Sequence, residues 1–186
     1  MHMVFWKRLE LEGHDACRFA ETRDGWTIEG TAVFEHDYGA AALTYRLLCD
    51  KHWSSRKASV RGWVGENTVE LLVERASDGS WSVNGRNNDA LAGLEDIDLG
   101  FTPASNTNAI RRLNLPEGEE AESVSVWLDT EDWNVKPLHQ WYRRIGGNAY
   151  DYESPMHDYR ATLLVDEFGA VQEYPNLWTM LDRRKR

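Results

Sequence analysis

Between Leu91 and Leu115 the chain reads LAGLEDIDLGFTPASNTNAIRRLNL, a segment with enough carboxylates, amides and guanidinium groups to line a polar site. Apolar residues at Leu91, Leu94, Ile97, Leu99, Phe101, Ile110, Leu113 and Leu115 anchor it. An ordinary solvent loop needs no such anchors. Between them lie Glu95, Asp96 and Asp98, then Asn106 and Asn108, then Arg111 and Arg112. Opposite charges crowded on an anchored backbone can build a polar pocket.

Asp96 and Asp98 are two residues apart, so in an extended segment both carboxylates point to one face. There they can accept hydrogen bonds from sugar hydroxyls or hold a cation. The competing possibility is an ion pair with Arg111 or Arg112 that only fixes the loop. A two-carboxylate glycosidase needs a defined separation between its acids, and Asp-x-Asp alone does not specify a metal site. No catalytic residue and no metal ligand are therefore assigned.

Arg111 and Arg112 are adjacent, and on a strand they face opposite ways. One can then enter the pocket, where a guanidinium fork suits a phosphate or carboxylate, while the other pairs elsewhere. Both can equally serve structural salt bridges. Asn106 and Asn108 alternate with Ser105 and Thr107, a pattern suited to polyols, although asparagines also cap turns. Asp50, Trp53 and Arg56 follow the strand-like Tyr45–Leu48. Trp53 can face a sugar ring or an acyl chain with Asp50 and Arg56 orienting it, or simply pack on Arg56. Tyr142, Tyr150 and Tyr152 can add phenol hydroxyls to the same cavity. For Trp141 and Tyr142, core packing is the alternative.

The elements that must position these residues are mostly strands. Trp26, Ile28, Gly30, Ala32 and Phe34 alternate with Thr27, Glu29, Thr31 and Glu35. Ala58–Val64 and Val124–Leu128 alternate likewise, the pattern of half-buried antiparallel strands. Asp24-Gly25, Gly65-Glu66-Asn67, Asp78-Gly79, Asn84-Gly85 and Glu167-Phe168-Gly169 read as turns of a long meander. The acidic run from Glu117 to Glu122 reads as an exposed loop. Leu138, Trp141, Tyr142 and Ile145 fall at i, i+3, i+4 and i+7, which predicts a helix over Pro137–Ile145 with Gly146-Gly147 ending it. A second short helix is predicted near Leu177–Leu181. One helix with a wide aromatic face needs a concave surface, so the expected fold is mostly β: a large curved antiparallel sheet, a spiral roll, wrapped around a single α-helix.

With 186 residues, 41% of them hydrophobic, the chain suits one domain spanning 1–186. No run approaches the ~20 apolar residues that span a bilayer. Lys7, Arg8 and Glu10 come too early for a secretory signal, so the expected location is cytoplasmic. A net charge of −10 argues against a nucleic-acid partner. The basic tail Arg183, Arg184, Lys185 and Arg186 reads as a solvated end. Cys17 and Cys49 form no metal or redox motif and read as buried thiols. The six histidines lack ligand spacing, and no cofactor is expected. No G-x-S-x-G, Walker or G-x-G-x-x-G motif supports a nucleophilic hydrolase or a nucleotide enzyme.

Several blocks in order along the chain resemble the bacterial glycolipid-binding family first catalogued as a domain of unknown function. They are Cys49–Arg56, Trp81 with Gly85, Asp96–Leu99, Thr102–Asn108, Ile110–Leu113, Gln140–Arg143, Tyr150–Tyr152, and Val165-Asp166 with Tyr174-Pro175. Ala104 and Ala109 are the positions where this chain departs from the family pattern. The resemblance implies a many-stranded sheet around one helix, a tight homodimer, an acidic pocket and a distant likeness to lipoprotein carriers. The function then expected is non-catalytic binding of a glycolipid or related sugar-bearing amphiphile, with a role in glycolipid metabolism. The alternatives are an enzyme using the pocket carboxylates and a dimeric interaction protein whose charged loop is only structural.

Overall fold

The computed structural model describes residues 1–181, so the basic run Arg183–Arg186 lies outside the described residues. Alternation of inward apolar and outward polar side chains makes strands of most of the chain. In order they are β1 (His2–Arg8), β2 (Gly13–Thr22), β3 (Gly25–His36), β4 (Gly39–Asp50), β5 (Ser55–Val64), β6 (Asn67–Arg75), β7 (Trp81–Val83) and β8 (Arg86–Asn87). Then follow β9 (Asp96–Asp98), β10 (Glu120–Leu128), β11 (Val135–Gly146), β12 (Ala149–Ser154), β13 (Tyr159–Val165), β14 (Val171–Tyr174) and β15 (Trp178–Met180). All belong to one sheet in the order β8-β7-β6-β5-β4-β3-β2-β1-β15-β14-β13-β12-β11-β10-β9. Two meanders thus run outward from the pairing of β1 with β15. The five turns read from the sequence all connect neighbouring strands.

The sheet is mixed rather than wholly antiparallel, because β9 lies parallel to β10. Parallel neighbours cannot be joined by a hairpin, so the chain must cross over. That crossover carries α1 (Asn106–Leu113), entered through a 3-10 turn at Pro103–Ser105. The sheet curls until β9 meets the start of β5. Ser55 N donates to Glu95 O at 2.7 Å, and Ile97 N donates to Ser55 Oγ at 3.0 Å. The helix is enclosed by the roll, and its residues Asn106 to Ile110 are all buried.

The expected architecture holds, but the helix is a different segment. Pro137–Ile145 lies within β11, where Leu138, Gln140 and Tyr142 are buried while Trp141 and Ile145 are each 42% exposed. Leu138 and Tyr142, four apart, satisfy both the helical and the strand period. Pro137 is tolerated because β12 pairs with β11 only from Trp141 onward. At Pro137 the strand has β10 as its single neighbour, a position where a missing N–H is least costly. Leu177–Leu181 is not helical either; Trp178–Met180 is β15. Glu120 and Glu122, read as loop, open β10.

The inward faces pack Trp6, Phe19, Ile28, Leu43, Leu47 and Val60, each at most 1% exposed. Full burial of one such side chain stabilises by ~1.5–3 kcal/mol. Trp6 satisfies its indole N–H on Val171 O at 2.6 Å, tying the first meander to the last. Cys17 and Cys49 are buried free thiols.

The two ends of the roll differ. At one end five planar groups form a column. His2 stacks on Phe168 at 4.6 Å, and Phe168 lies 4.6 Å from the Arg111 guanidinium. Arg111 lies 4.5 Å from the ring of Trp53, which stacks on Trp26 at 4.6 Å. Strand, turn and helix contributions to this column close that end. The opposite strand termini, at Arg8, His36 and Asp129, border an open cleft.

Candidate functional site

The cleft has a volume of about 640 Å³, within the ~300–1,000 Å³ typical of small-molecule sites. Arg8, Glu10, His36, Asp37 and Tyr38 reach it from the β1 and β3 termini. Asp98, Thr102, Pro103 and Asn106 reach it from the crossover. Trp127, Asp129, Glu131, Tyr152, Ser154, His157, Tyr159, Tyr174 and Trp178 complete the wall.

A hydrogen-bonded chain forms part of this lining. Asp98 Oδ1 accepts from Ser105 Oγ at 3.1 Å, and its Oδ2 accepts from Gln140 Nε2 at 2.7 Å. Gln140 Nε2 also donates to the Tyr152 hydroxyl at 2.8 Å, while Gln140 Oε1 accepts from Ser125 Oγ at 2.8 Å. Ser154 Oγ and His157 Nδ1 are hydrogen-bonded at 2.8 Å. Burial pushes the Asp98 carboxyl above its ordinary range, opposed by its bonds from Gln140 and Ser105. Burial also pushes the Tyr152 and Tyr159 hydroxyls up to about 12, so both are donors at neutral pH. Tyr152, Tyr159 and Tyr174 pack against one another with centroids 5.6–6.2 Å apart. Aromatic faces beside hydroxyls and a carboxylate can hold a ring that is apolar on its faces and polar at its edge.

The cations near the cleft are largely engaged. Arg8 Nε donates to Glu10 Oε1 at 2.9 Å, and Lys136 Nζ sits 2.5 Å from Asp129 Oδ2. Tyr38 N donates to His36 Nδ1 at 3.2 Å, and His36 Nε2 lies 3.1 Å from Thr130 O. That arrangement suits a neutral imidazole, with Nδ1 accepting and Nε2–H donating.

Two polar clusters lie behind the cleft. In the first, Asp96, 1% exposed, accepts from Arg112 Nε at 2.8 Å, Arg112 Nη2 at 2.6 Å, Ser123 Oγ at 2.6 Å and Asn108 Nδ2 at 3.3 Å. In the second, Tyr45 donates to Asp15 Oδ2 at 2.8 Å, and the Thr102 hydroxyl donates to the same oxygen. Asp15 Oδ1 is buried without a partner, and burial lifts this carboxyl to about 6. Gly30 makes room for the cluster, since a Cβ there would stand 2.5 Å from the Tyr45 hydroxyl.

A family model described as "Putative glycolipid-binding" matches residues 3–180, nearly the whole chain. The chain belongs to this family. The crystal structure of a DUF1089 family protein from Pseudomonas aeruginosa is similar throughout, with 29% identity and a TM-score of 0.82. The match covers 91% of this chain and 92% of that one. No curated protein matches the chain. Among the described residues of this glycolipid-binding family member, no helix is long and apolar enough to cross a membrane.

Of the residues singled out in the sequence, Asp98, Asn106 and Tyr152 line the cleft. Asp96, Asn108 and Arg112 form the buried network behind it. Neither Asn106 nor Asn108 caps a turn with its side chain: both are inside α1, where Asn106 Nδ2 donates to the Tyr142 hydroxyl at 3.0 Å, although the Asn106 backbone N–H closes the preceding 3-10 turn. Tyr142 and Tyr150 are buried at 1% and 6% exposure and are not themselves part of the cleft lining. Asp50 and Arg56 pair at 2.6 Å on the surface, and Trp53 and Arg111 belong to the column.

The strand geometry expected for Arg111 and Arg112 is corrected: they are successive residues of a helix, about 100° apart around its axis. Neither lines the cleft. Their place in the last turn suits the negative end of the helix dipole. Gln140, Trp127, Asp129, His157, Tyr159 and Trp178 were not singled out as site residues. Strand alternation through Leu138, Gln140 and Tyr142 is the pattern that would have revealed Gln140.

Proposed function

We propose that the protein binds a glycolipid or related sugar-bearing amphiphile without transforming it, with the sugar seated in the cleft. The observation that carries this is the chain Asp98–Gln140–Tyr152 beside the tyrosine wall. It offers a carboxylate acceptor and phenol groups next to aromatic faces. The lining carboxylates Glu10, Asp37, Asp98, Asp129 and Glu131 make the site acidic. An acidic site favours hydroxyl-rich neutral ligands over phosphates, because the guanidinium of Arg8 is already paired. Family membership supports glycolipid binding as the ligand class; a role in glycolipid metabolism is part of the same proposal.

Titration calorimetry against a panel of soluble glycosides tests this, alongside lipid extraction from freshly purified protein. Saturable binding lost in Asp98→Asn supports the assignment. A full panel without heat and no co-purified glycolipid would remove it. An enzymatic reading draws support from one feature, the raised carboxyl of Asp98 within a cleft that also holds Asp129. General acid catalysis needs such a group. Turnover of a glycoside with a pH–rate limb abolished in Asp98→Asn would favour that reading instead.

We also propose a cytoplasmic homodimer. Phe5, Val33 and Trp63 are 37%, 47% and 47% exposed, and exposed apolar surface of this kind suits a second copy. Light scattering on wild type and Trp63→Glu measures it: a dimer mass that falls to monomer in the variant supports this face.

A further inference from the structure

The cleft is bordered by an apolar rim. Leu11 and Tyr38, which line its mouth, are 42% and 58% exposed. Leu9, next to the lining residue Arg8, is 48% exposed, and Met156, next to His157, is 58% exposed. These residues come from the β1–β2 and β3–β4 connections and from the 3-10 turn after β12, three segments that each contribute lining residues to the cleft. Among the described residues, the back of the cleft is polar where the crossover meets it. Asp98, Thr102 and Asn106 are polar groups from the crossover, and behind them α1 and its neighbours Phe101, Ala104 and Ile110 are packed at 1–4% exposure. The far end is closed by the Trp26–Trp53–Arg111–Phe168 column.

Resting on the glycolipid assignment above, we infer that the cleft mouth docks onto a lipid surface, takes only the sugar headgroup, and leaves the acyl chains in the bilayer. Leu9, Leu11, Tyr38 and Met156 form the contact. Apolar side chains at an opening gain by leaving water for the interfacial region. A polar, hydrogen-bonding cleft behind them accepts what protrudes from that surface. The partner is a bilayer of neutral lipids carrying uncharged glycolipid. The chain's net charge of −10, with Glu10 and Asp37 at the mouth, disfavours an anionic membrane.

The test uses phosphatidylcholine vesicles containing glucosyl, galactosyl or mannosyl diacylglycerol, with the matching soluble methyl hexosides in parallel. Co-sedimentation and calorimetry compare the full chain with the double variant Leu9→Ser, Met156→Ser, neither residue lining the cleft. The expected result is vesicle binding weakened about tenfold in the variant, with methyl hexoside affinity unchanged. Three outcomes overturn this inference alone. Equal vesicle binding by the variant removes the rim. Extraction of the lipid into a soluble one-to-one complex, seen by mass spectrometry of the supernatant, shows that the chains are enclosed. Methyl hexoside binding without vesicle binding removes membrane docking while leaving sugar binding intact. Failure of both probes overturns the glycolipid assignment and this inference together.

Discussion

Arg112 closes on Asp96 through two bonds, Nε to Oδ1 at 2.8 Å and Nη2 to Oδ2 at 2.6 Å. The bidentate fork joins the last turn of α1 to the edge strand β9, and it lies behind the cleft rather than in it. Asp96 is 1% exposed, so removing its cation would strand a buried carboxylate. Arg112→Ala is expected to cost ~3–5 kcal/mol. In a chain of this length that lowers Tm by roughly 6–20 °C. Arg56→Ala, which breaks the exposed pair with Asp50, should cost no more than ~1 kcal/mol. Equal losses in thermal melts of the two variants would contradict this division of labour.

Among the described residues, Asp98 differs from Asp96 in having no cation within salt-bridge distance. Its raised carboxyl means that ionising it at neutral pH opposes folding. Asp98→Asn should therefore leave Tm at pH 7 unchanged or slightly higher. Glycoside affinity, which relies on the charged acceptor, should fall about tenfold or more. Calorimetry and a thermal melt on one preparation check both halves.

Asp15 sets a pH dependence of stability. Its folded-state pKa of about 6 lies above the ordinary aspartate value of 3.8. The folded state therefore holds the proton more tightly than the unfolded chain. The stabilisation this gives is fully present below about 3.8 and is lost as pH rises through about 6. Integrated over that window the loss is ~3 kcal/mol. Asp15→Asn should flatten the stability profile between pH 4 and 6 in urea titrations. A profile parallel to wild type would show that the carboxyl does not titrate there.

Trp53 tests the column that closes one end of the roll. Trp53→Ala leaves Arg111 and Trp26 without their shared neighbour and should cost ~3–5 kcal/mol. Glycoside affinity measured well below the lowered Tm should stay within a factor of two, because the column and the cleft occupy opposite ends. A parallel loss of affinity would mean that the two ends are coupled.

Much of the sheet was legible because strand alternation is local. A residue two positions along faces the same side whatever lies beyond, and Asp-Gly or Asn-Gly turns need only their own backbone freedom. The helix was misplaced for a related reason. α1 is only eight residues long, too short for a helical stripe to stand out from its surroundings. Its buried residues include Asn106, Thr107 and Asn108, whose polarity hid the helix. β11, exposed on one face, carries Trp141 and Ile145 outward, where they imitated a helical stripe.

The sequence by itself determined a β-rich roll, a polar segment at Asp96–Arg112 and buried thiols, each a matter of residue type and short-range periodicity. Tertiary structure alone decided which polar residues face the cleft. Asp96 and Asp98 share a strand face, yet one meets Arg112 and the other Gln140, 42 residues away along the chain. Arg111 and Arg112 are neighbours, yet they diverge to an aromatic column and a buried carboxylate. The reason is that partners are set by how the sheet curls and which edge the crossover returns to. Those are long-range matters that residue spacing does not encode.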